Sequence, residues 1–171
     1  VPTMNMAEYC AADEIRLFVP NESVEAYKTY WSELAPYIYG YGYVENPRPY
    51  DYQIWYSSYE KMVLNPAAVN QTLISNEWDR TTGRGVLTFD GTVTEINGPL
   101  FANGSALVSI NMSNKVTTIG TKAFVECEEL LEINLSDNVS AIGELAFANC
   151  RSLCEIKLPS SLREIGIEAF L

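Results

Sequence analysis

The sequence contains no histidine, the side chain that most often serves as a general base near neutral pH. The Ser-His and Cys-His ways of activating a nucleophile are therefore excluded, together with most zinc and iron sites. No P-loop occurs, and no Gly-x-Gly-x-x-Gly follows a predicted strand. These absences predict a chain that is not an enzyme and that carries no cofactor or metal.

Basic residues are scarce, since 11 Lys and Arg stand against 22 Asp and Glu, and the formal net charge is −11. Nucleic acids and anionic membranes attract positive charge, so neither is expected as a partner. No apolar run approaches the roughly 18 residues of a membrane span. The chain begins at Val1 without an initiator Met and ends inside a repeat unit at Leu171, so we expect further repeats or domains to flank it.

Apolar residues recur every 23 positions in the second half of the chain. The residues that keep this spacing include Phe101, Phe124, Phe147 and Phe170, then Ile96, Ile119, Ile142 and Ile165, and also Ile110, Ile133 and Ile156. Such periodicity is typical of stacked repeats, in which one unit cannot bury its apolar face and its neighbours complete the core. The pattern predicts a solenoid of 23-residue units over residues 86–171.

Each unit combines a strand pattern with a turn pattern. Ile133 and Leu135 alternate with polar residues, which is the period of a strand with one buried face. Phe147 follows Gly143 closely, as expected for a tight return turn that directs a large ring inward. We expect Ile133, Leu135, Phe124 and Phe147 to lie in one continuous core.

The units V-T-T-I-G-T-K-A-F-V-E-C (116–127) and V-S-A-I-G-E-L-A-F-A-N-C (139–150) resemble the BspA-like leucine-rich repeats of bacterial surface proteins. The resemblance covers residues 86–171. It implies an α+β repeat protein, a leucine-rich-repeat solenoid with an N-terminal α/β capping region. It also implies an exported protein at the cell surface, with a non-catalytic, adhesin-like function and a protein or glycan ligand.

Residues 1–44 are predicted to form a terminal-type repeat unit with one helix. A strand at 15–19 is followed by an apolar stripe at helical spacing, made of Val24, Tyr27, Trp31 and Leu34. Ser23 can cap this helix and Pro36 stops it. The segment is similar to the unit that closes BspA-like arrays, which implies that it closes an array preceding the one at 86–171.

A tyrosine-rich strand is predicted to end this unit, with four phenol rings on one face: Tyr37, Tyr39, Tyr41 and Tyr43. One interpretation is a stacking platform for sugar rings. The other is an amphipathic packing face that covers an open end of the solenoid, with its hydroxyls at the rim.

Residues 45–85 are predicted to be a β-hairpin cap and connector that covers the first repeat. The predicted pieces are a linker at 46–49, a hairpin of strands 54–56 and 62–64, a strand at 73–78 and a turn at 80–85. The turn leads into residues 86–89, the predicted first strand of the ladder.

Cys127 and Cys150 occupy the same position in successive units. We expect them to stack as small buried thiols. A disulfide between them is the alternative, which an exported protein would permit.

The outward strand positions of successive units are predicted to form a ligand-binding ladder of Thr88, Asn111, Asn134 and Lys157. This ladder is polar and poor in the aromatic residues that dominate interface hot spots. The tyrosine-rich region is better supplied with them. The sequence thus predicts a non-catalytic interaction module, with a carbohydrate-binding accessory domain or a structural spacer as alternatives.

Overall fold

The computed structural model describes residues 16–20, 24–30, 32, 38–41, 48–101 and 104–171. Within these residues the chain is mostly β-sheet, with one α-helix, α1 (Val24–Tyr30), and short 3-10 turns at Pro66–Ala68 and Gly104–Ala106. The strands are, in chain order, β1 (Arg16–Pro20), β2 (Ile38–Tyr41), β3 (Gln53–Ser58), β4 (Leu73–Asp79), β5 (Arg84–Phe89), β6 (Glu95–Ile96), β7 (Leu107–Met112), β8 (Thr118–Ile119), β9 (Glu132–Asn134), β10 (Ala141–Ile142), β11 (Glu155–Lys157) and β12 (Glu164–Ile165).

Four short strands form a parallel sheet in the order β12-β10-β8-β6. Its register pairs residues that are 23 positions apart, because Ile142 faces both Ile119 and Ile165, and Ile96 faces Ile119. These side chains point into the molecule, and three of the four are fully buried. Residues that are 23 positions apart in the sequence are therefore direct neighbours in this sheet.

The phenylalanines of three successive units form a stack inside the core. Phe124 and Phe147 have ring centroids 5.4 Å apart with an interplanar angle of 6°, and Phe147 and Phe170 are 5.3 Å apart at 11°. Ile133 and Leu135 are buried in the same apolar cluster as these rings. The prediction of one continuous core at these positions is confirmed.

The longer strands form a second sheet, whose order is β4-β5-β3-β7-β9. β3 lies between β5 and β7 and is antiparallel to both, whereas β7 and β9 pair in parallel. The prediction that β5 begins an uninterrupted ladder of repeat strands is therefore wrong at its first step. The buried residues of β3 alternate along the strand, which suits a sheet with one covered face.

The predicted hairpin of 54–56 with 62–64 is also wrong. Leu64 makes an isolated bridge to Phe101 of the first repeat, and the carbonyl of Met62 accepts from the Asn76 side chain at 2.7 Å. The hairpin that does form joins β4 to β5, with Gly83 at φ +70° in its turn. The strand predicted at 73–78 is confirmed as β4.

Residues 64–69 cover the first repeat. Val69 bridges Ile96, and the N–H of Asn97 donates to the carbonyl of Ala68. The N–H of Asn65 donates to the carbonyl of Leu100 at 2.9 Å. These contacts close the apolar side of the first repeat, where no earlier unit is paired among the described residues. The boundaries 1–44, 45–85 and 86–171 stay a prediction.

Arg48 fastens the chain to the repeats at a place where a linker is predicted. Its guanidinium donates to the carbonyl of Leu135 at 2.7 Å and to that of Met112 at 3.3 Å, and it pairs with Asp137 at 3.0 Å. Pro49 is buried beside it. At these two residues the chain is not a free linker; residues 46–47 lie outside the described part.

The N-terminal strands join the last repeat of the same chain. β11, β1 and β2 form a parallel sheet in that order, with Arg16 facing Glu155 and Phe18 facing Lys157. The buried Tyr27 of α1 donates its hydroxyl to the carbonyl of Pro159. Among the described residues, the segment therefore stacks on the last repeat of this chain, and the closing of a preceding array stays a prediction. Ser23, Trp31, Leu34 and Pro36 lie outside the described residues.

Candidate ligand-binding face

The four residues of the predicted ladder do not lie in one row. Asn111 and Asn134 face each other across the β7–β9 pair and are both half-buried. Thr88 faces Gln53, so all of β3 separates it from Asn111. Lys157 faces Phe18 of β1. The structure thus brings two of the four predicted residues together, and whether any of them binds a ligand stays a prediction.

A tryptophan on β3 lies between β5 and β7, two strands that were predicted to be neighbours. Trp55 on β3 faces Val86 on one side and Asn111 on the other, so the row reads Val86, Trp55, Asn111, Asn134. Its indole is half-buried, and Nε1 donates to Oε1 of Gln53 at 3.2 Å. We call the surface of this sheet around that row the outer sheet face.

A second row of the outer sheet face is made of small and charged side chains. It runs Asp79, Arg84, Ser57, Ser109, Glu132 across five strands. The hydroxyls of Ser57 and Ser109 lie 2.6 Å apart. The two central serines are half-buried, whereas the charged residues at the ends are exposed. The face therefore has hydrogen-bonding groups at its centre and charge at its rim.

The rim charge is mostly negative. Asp79 accepts from the N–H of Thr81 at 2.8 Å and from the hydroxyl of Thr82 at 2.9 Å, and these hydrogen bonds hold the pKa of its carboxyl below the usual value. Glu77 and Glu132 are also exposed at the edges. A ligand rich in phosphate would be repelled here.

The reverse side of β3 belongs to the core. Ile54 and Tyr56 are buried, and burial raises the pKa of the Tyr56 phenol despite its hydrogen bond to Asn76 at 2.7 Å. The alternation of Ile54, Trp55 and Tyr56 is visible in the sequence. This alternation predicts that the Trp55 side chain points away from the core. Trp55 was missed as a site residue because β3 was predicted to pair with 62–64 and not with β5 and β7.

The tyrosine-rich region is only partly described. Tyr39 and Tyr41 lie on β2, where their backbones face Phe18 and Pro20, while Tyr37 and Tyr43 lie outside the described residues. Further along the chain, Tyr50 and Tyr52 stack with ring centroids 5.6 Å apart at 8°, and both rings are exposed, by 66% and 43%.

Cys127 and Cys150 are buried and unbridged, as predicted for stacked thiols, and the disulfide alternative does not hold. The Cys150 thiol donates to the carbonyl of Phe124 at 3.0 Å. Its hydrogen bond with the Cys127 side chain, together with burial, raises the pKa of Cys150. The raised pKa disfavours the thiolate form of Cys150, and burial shields both cysteine side chains from solvent.

Among the described residues, no helix has both the length and the hydrophobicity of a membrane span. The same residues contain no group of three His, Cys, Asp or Glu side chains that could hold a metal ion.

One comparison with known proteins finds a match. The family model described as BspA type leucine-rich repeat region matches residues 82–171 in 6 copies, which is just over half of the chain. No curated protein and no solved structure matches.

Proposed function

Because this chain belongs to the BspA type leucine-rich repeat family, we propose that it is a non-catalytic, adhesin-like interaction module. It binds a protein or glycan ligand outside the cell, as an exported part of a surface protein. The repeats form a solenoid of 23-residue units, which displays a regular surface that grows with the number of units.

The observation that carries this proposal is Trp55 at the centre of the outer sheet face. Tryptophan is among the residues that dominate binding energy, above all when polar groups surround it and exclude water. Here the half-buried indole stands between Val86 and Asn111, with Gln53 and Asn134 nearby. The sequence alone had predicted a ladder poor in aromatic residues, and the insertion of β3 between β5 and β7 adds a tryptophan to this face.

The binding experiment compares the wild-type chain with Trp55→Ala on immobilised matrix proteins and on a glycan panel. A hot-spot residue contributes about 2 kcal/mol or more, so we expect the variant to bind roughly 30-fold more weakly. Tyr59→Ala is the matched control, since Tyr59 is a 71% exposed aromatic residue beyond the end of β3. It should bind like the wild type.

Truncation of Trp55 should leave the fold intact, because the indole lies on the opposite face from the buried Ile54 and Tyr56. Equal melting temperatures of variant and wild type check this. Unchanged binding by a folded Trp55→Ala chain would remove the outer sheet face as the site.

A single copy offers a small face and is expected to bind weakly. Strong attachment then needs several copies, since each bound copy raises the effective concentration of the next. Tandem copies should therefore retain ligand far longer than single copies at equal density. Tight binding by one copy would contradict this. Turnover of a glycan or peptide, abolished by one carboxylate substitution, would contradict the non-catalytic proposal.

A carbohydrate-binding accessory domain is the second candidate, and the exposed Tyr50–Tyr52 stack favours it. Aromatic faces of this kind can pack on sugar rings, and the two tyrosines present theirs to solvent. Glycan binding that is lost in Tyr50→Ala and retained in Trp55→Ala would support this candidate. If the wild-type chain shows no measurable binding to protein or to glycan, the structural spacer is the function that remains.

A further inference from the structure

Trp55 has four direct neighbours on the outer sheet face, and none of them is charged. Gln53 and Ser57 flank it along β3, and Val86 and Asn111 face it on the two adjacent strands. All four are half-buried, so part of each side chain reaches the surface. Three of the four carry an amide or a hydroxyl group. The indole therefore stands among hydrogen-bonding groups and not among other large apolar side chains.

Hydrogen-bond donors remain for a ligand on both sides of the indole. The side-chain oxygen of Gln53 accepts from Nε1 of Trp55 at 3.2 Å, so among the described residues the NH2 group of Gln53 keeps its donors. The hydroxyls of Ser57 and Ser109 lie 2.6 Å apart, and their bond uses one of the two hydroxyl protons. The bond to Gln53 also holds the indole in one orientation before a ligand arrives, which lowers the entropic cost of binding.

Asn111 and Asn134 continue the row of Trp55 across β7 and β9. Neighbouring strands lie about 4.7–4.9 Å apart, which is close to the length of one sugar residue in an extended chain. Nδ2 of Asn134 donates to Oε1 of Glu132 at 3.2 Å, so the amide oxygen of Asn134 stays an acceptor. The row thus presents an aromatic ring and then two amides at the spacing of successive sugars.

The charges of this face lie at its rim, and those that are not offset are acidic. Arg84 faces Asp79 on the adjacent strand, so these two charges offset one another. Glu77 on β4 and Glu132 on β9 are both exposed. A centre without charge, placed between exposed carboxylates, is complementary to an uncharged ligand and disfavours one with carboxylate or sulfate groups.

From these observations we propose that the outer sheet face binds an uncharged glycan chain, with one sugar ring packed on the Trp55 indole and its hydroxyls bonded to Gln53 and Ser57. The following sugars lie over Asn111 and Asn134. This inference rests on the proposed function, because it names the ligand class of the same face. A protein partner fits less well, since the cores of protein interfaces are mostly apolar and three of the four direct neighbours of Trp55 are polar.

Calorimetric titration with pure oligosaccharides tests the ligand class. The neutral probes are oligomers of β-linked glucose, mannose and N-acetylglucosamine, and the acidic probe is a hyaluronan fragment, which contains glucuronic acid. We expect the wild-type chain to bind a neutral probe with a dissociation constant of roughly millimolar or below. The acidic probe should bind roughly tenfold more weakly at low salt, and this difference should shrink as salt screens the rim carboxylates.

Two substitutions on β3 locate the bound sugar. Trp55→Ala should weaken binding of the neutral probe roughly 30-fold, and Gln53→Ala roughly fivefold through loss of its hydrogen bonds. Both side chains lie on the outer side of β3, so either variant tests the site if the other fails to fold. Gln71→Ala is the matched control, because Gln71 has the same amide but donates to the carbonyl of Thr92, outside the rows of this face. It should bind like the wild type.

The outcomes separate this inference from the proposed function. If no neutral probe binds the wild-type chain, the inference is wrong, and protein capture that is lost in Trp55→Ala would still support the proposed function. Equal binding of acidic and neutral probes at low salt would also overturn the inference. So would binding of a neutral probe that Tyr50→Ala abolishes and Trp55→Ala leaves intact. If a folded Trp55→Ala chain keeps all binding to protein and to glycan, the inference fails together with the outer sheet face as the site of the proposed function.

Discussion

Truncation of Phe147 is the sharpest test of the stacked core. The ring is 2% exposed and has a parallel neighbour on each side, Phe124 at 5.4 Å and Phe170 at 5.3 Å. A buried Phe→Ala change costs about 3–5 kcal/mol through lost burial and the cavity left behind. Each aromatic pair adds about 0.5–1.5 kcal/mol, and Phe147→Ala loses two of them. We expect a loss near the upper end of that range or above it.

Urea unfolding followed by tryptophan fluorescence measures this loss as a change in midpoint at constant slope. Phe170→Ala is the matched control, because Phe170 is also buried but has a stacked neighbour on one side only among the described residues. It should be less destabilised than Phe147→Ala by about 1 kcal/mol, the value of one stacked pair.

Since domains are stable by only about 5–15 kcal/mol, Phe147→Ala can unfold the chain outright. Phe147→Leu retains much of the buried volume, and its smaller loss keeps the site measurable. A loss under about 1 kcal/mol for Phe147→Ala would refute the continuous stack, because no buried ring with two neighbours can be removed so cheaply. A greater loss of stability for Phe170→Ala than for Phe147→Ala would refute the predicted ranking of the two substitutions.

Three further predictions concern other parts of the structure. Gly143→Ala should lower the free energy of unfolding by about 1–3 kcal/mol in the same assay, because the added Cβ would lie 2.5 Å from the backbone nitrogen of Thr121 in the preceding repeat. Gly98→Ala is the control: its Cβ would meet nothing within 4 Å, so it should cost less despite a φ of +67°. Cys127 and Cys150 should resist thiol reagents in the native state, all four cysteines should react after unfolding, and a mass two protons short would contradict this. Asp79 has a lowered pKa when folded, so its contribution to stability is present above the unfolded pKa of about 3.9 and is lost as pH falls through the folded value. The stability difference between wild type and Asp79→Asn should therefore shrink on acidification, and a difference independent of pH would show that the carboxylate does not stabilise the turn.

The strand pairing in the repeat region could be predicted because its apolar residues recur every 23 positions. Ile119 and Ile142 stand 23 positions apart and face each other in the sheet, so spacing alone predicted the pairing. Burial of Phe124 and Phe147 followed from the same argument. In such a stack each unit contacts its neighbours, and local sequence carries most of the information.

The positions of β3 and the N-terminal unit could not be predicted in this way. The alternation in Ile54, Trp55 and Tyr56 predicts a strand with one buried face but not the partners of that strand. β3 pairs with strands on both sides of it, one of them about fifty residues further along the chain. Arg48 shows the same limit, because a Pro-flanked arginine gives no sign that the carbonyls of Met112 and Leu135 will bind it.

The candidate face was half predicted for the same reason. Asn111 and Asn134 were correctly placed side by side, since one repeat separates them. Trp55 was missed because its neighbourhood depends on the insertion of β3. Thr88 was misplaced by the same insertion, which moves it two strands away from Asn111.

The pairing of β1 with β11 also determines how the chain carries mechanical load. Arg16 and Leu171 are at opposite ends of the described sequence, yet both lie at the last repeat. A pull between them loads the three facing pairs of β1 and β11 before it reaches the other repeats. When these pairs separate, the segment from residue 16 to Arg48 can be drawn out to a total length of about 110 Å, since an extended residue spans about 3.3–3.6 Å. A module anchored at these two points would absorb a sudden force by lengthening, while the stacked repeats and the outer sheet face stay folded.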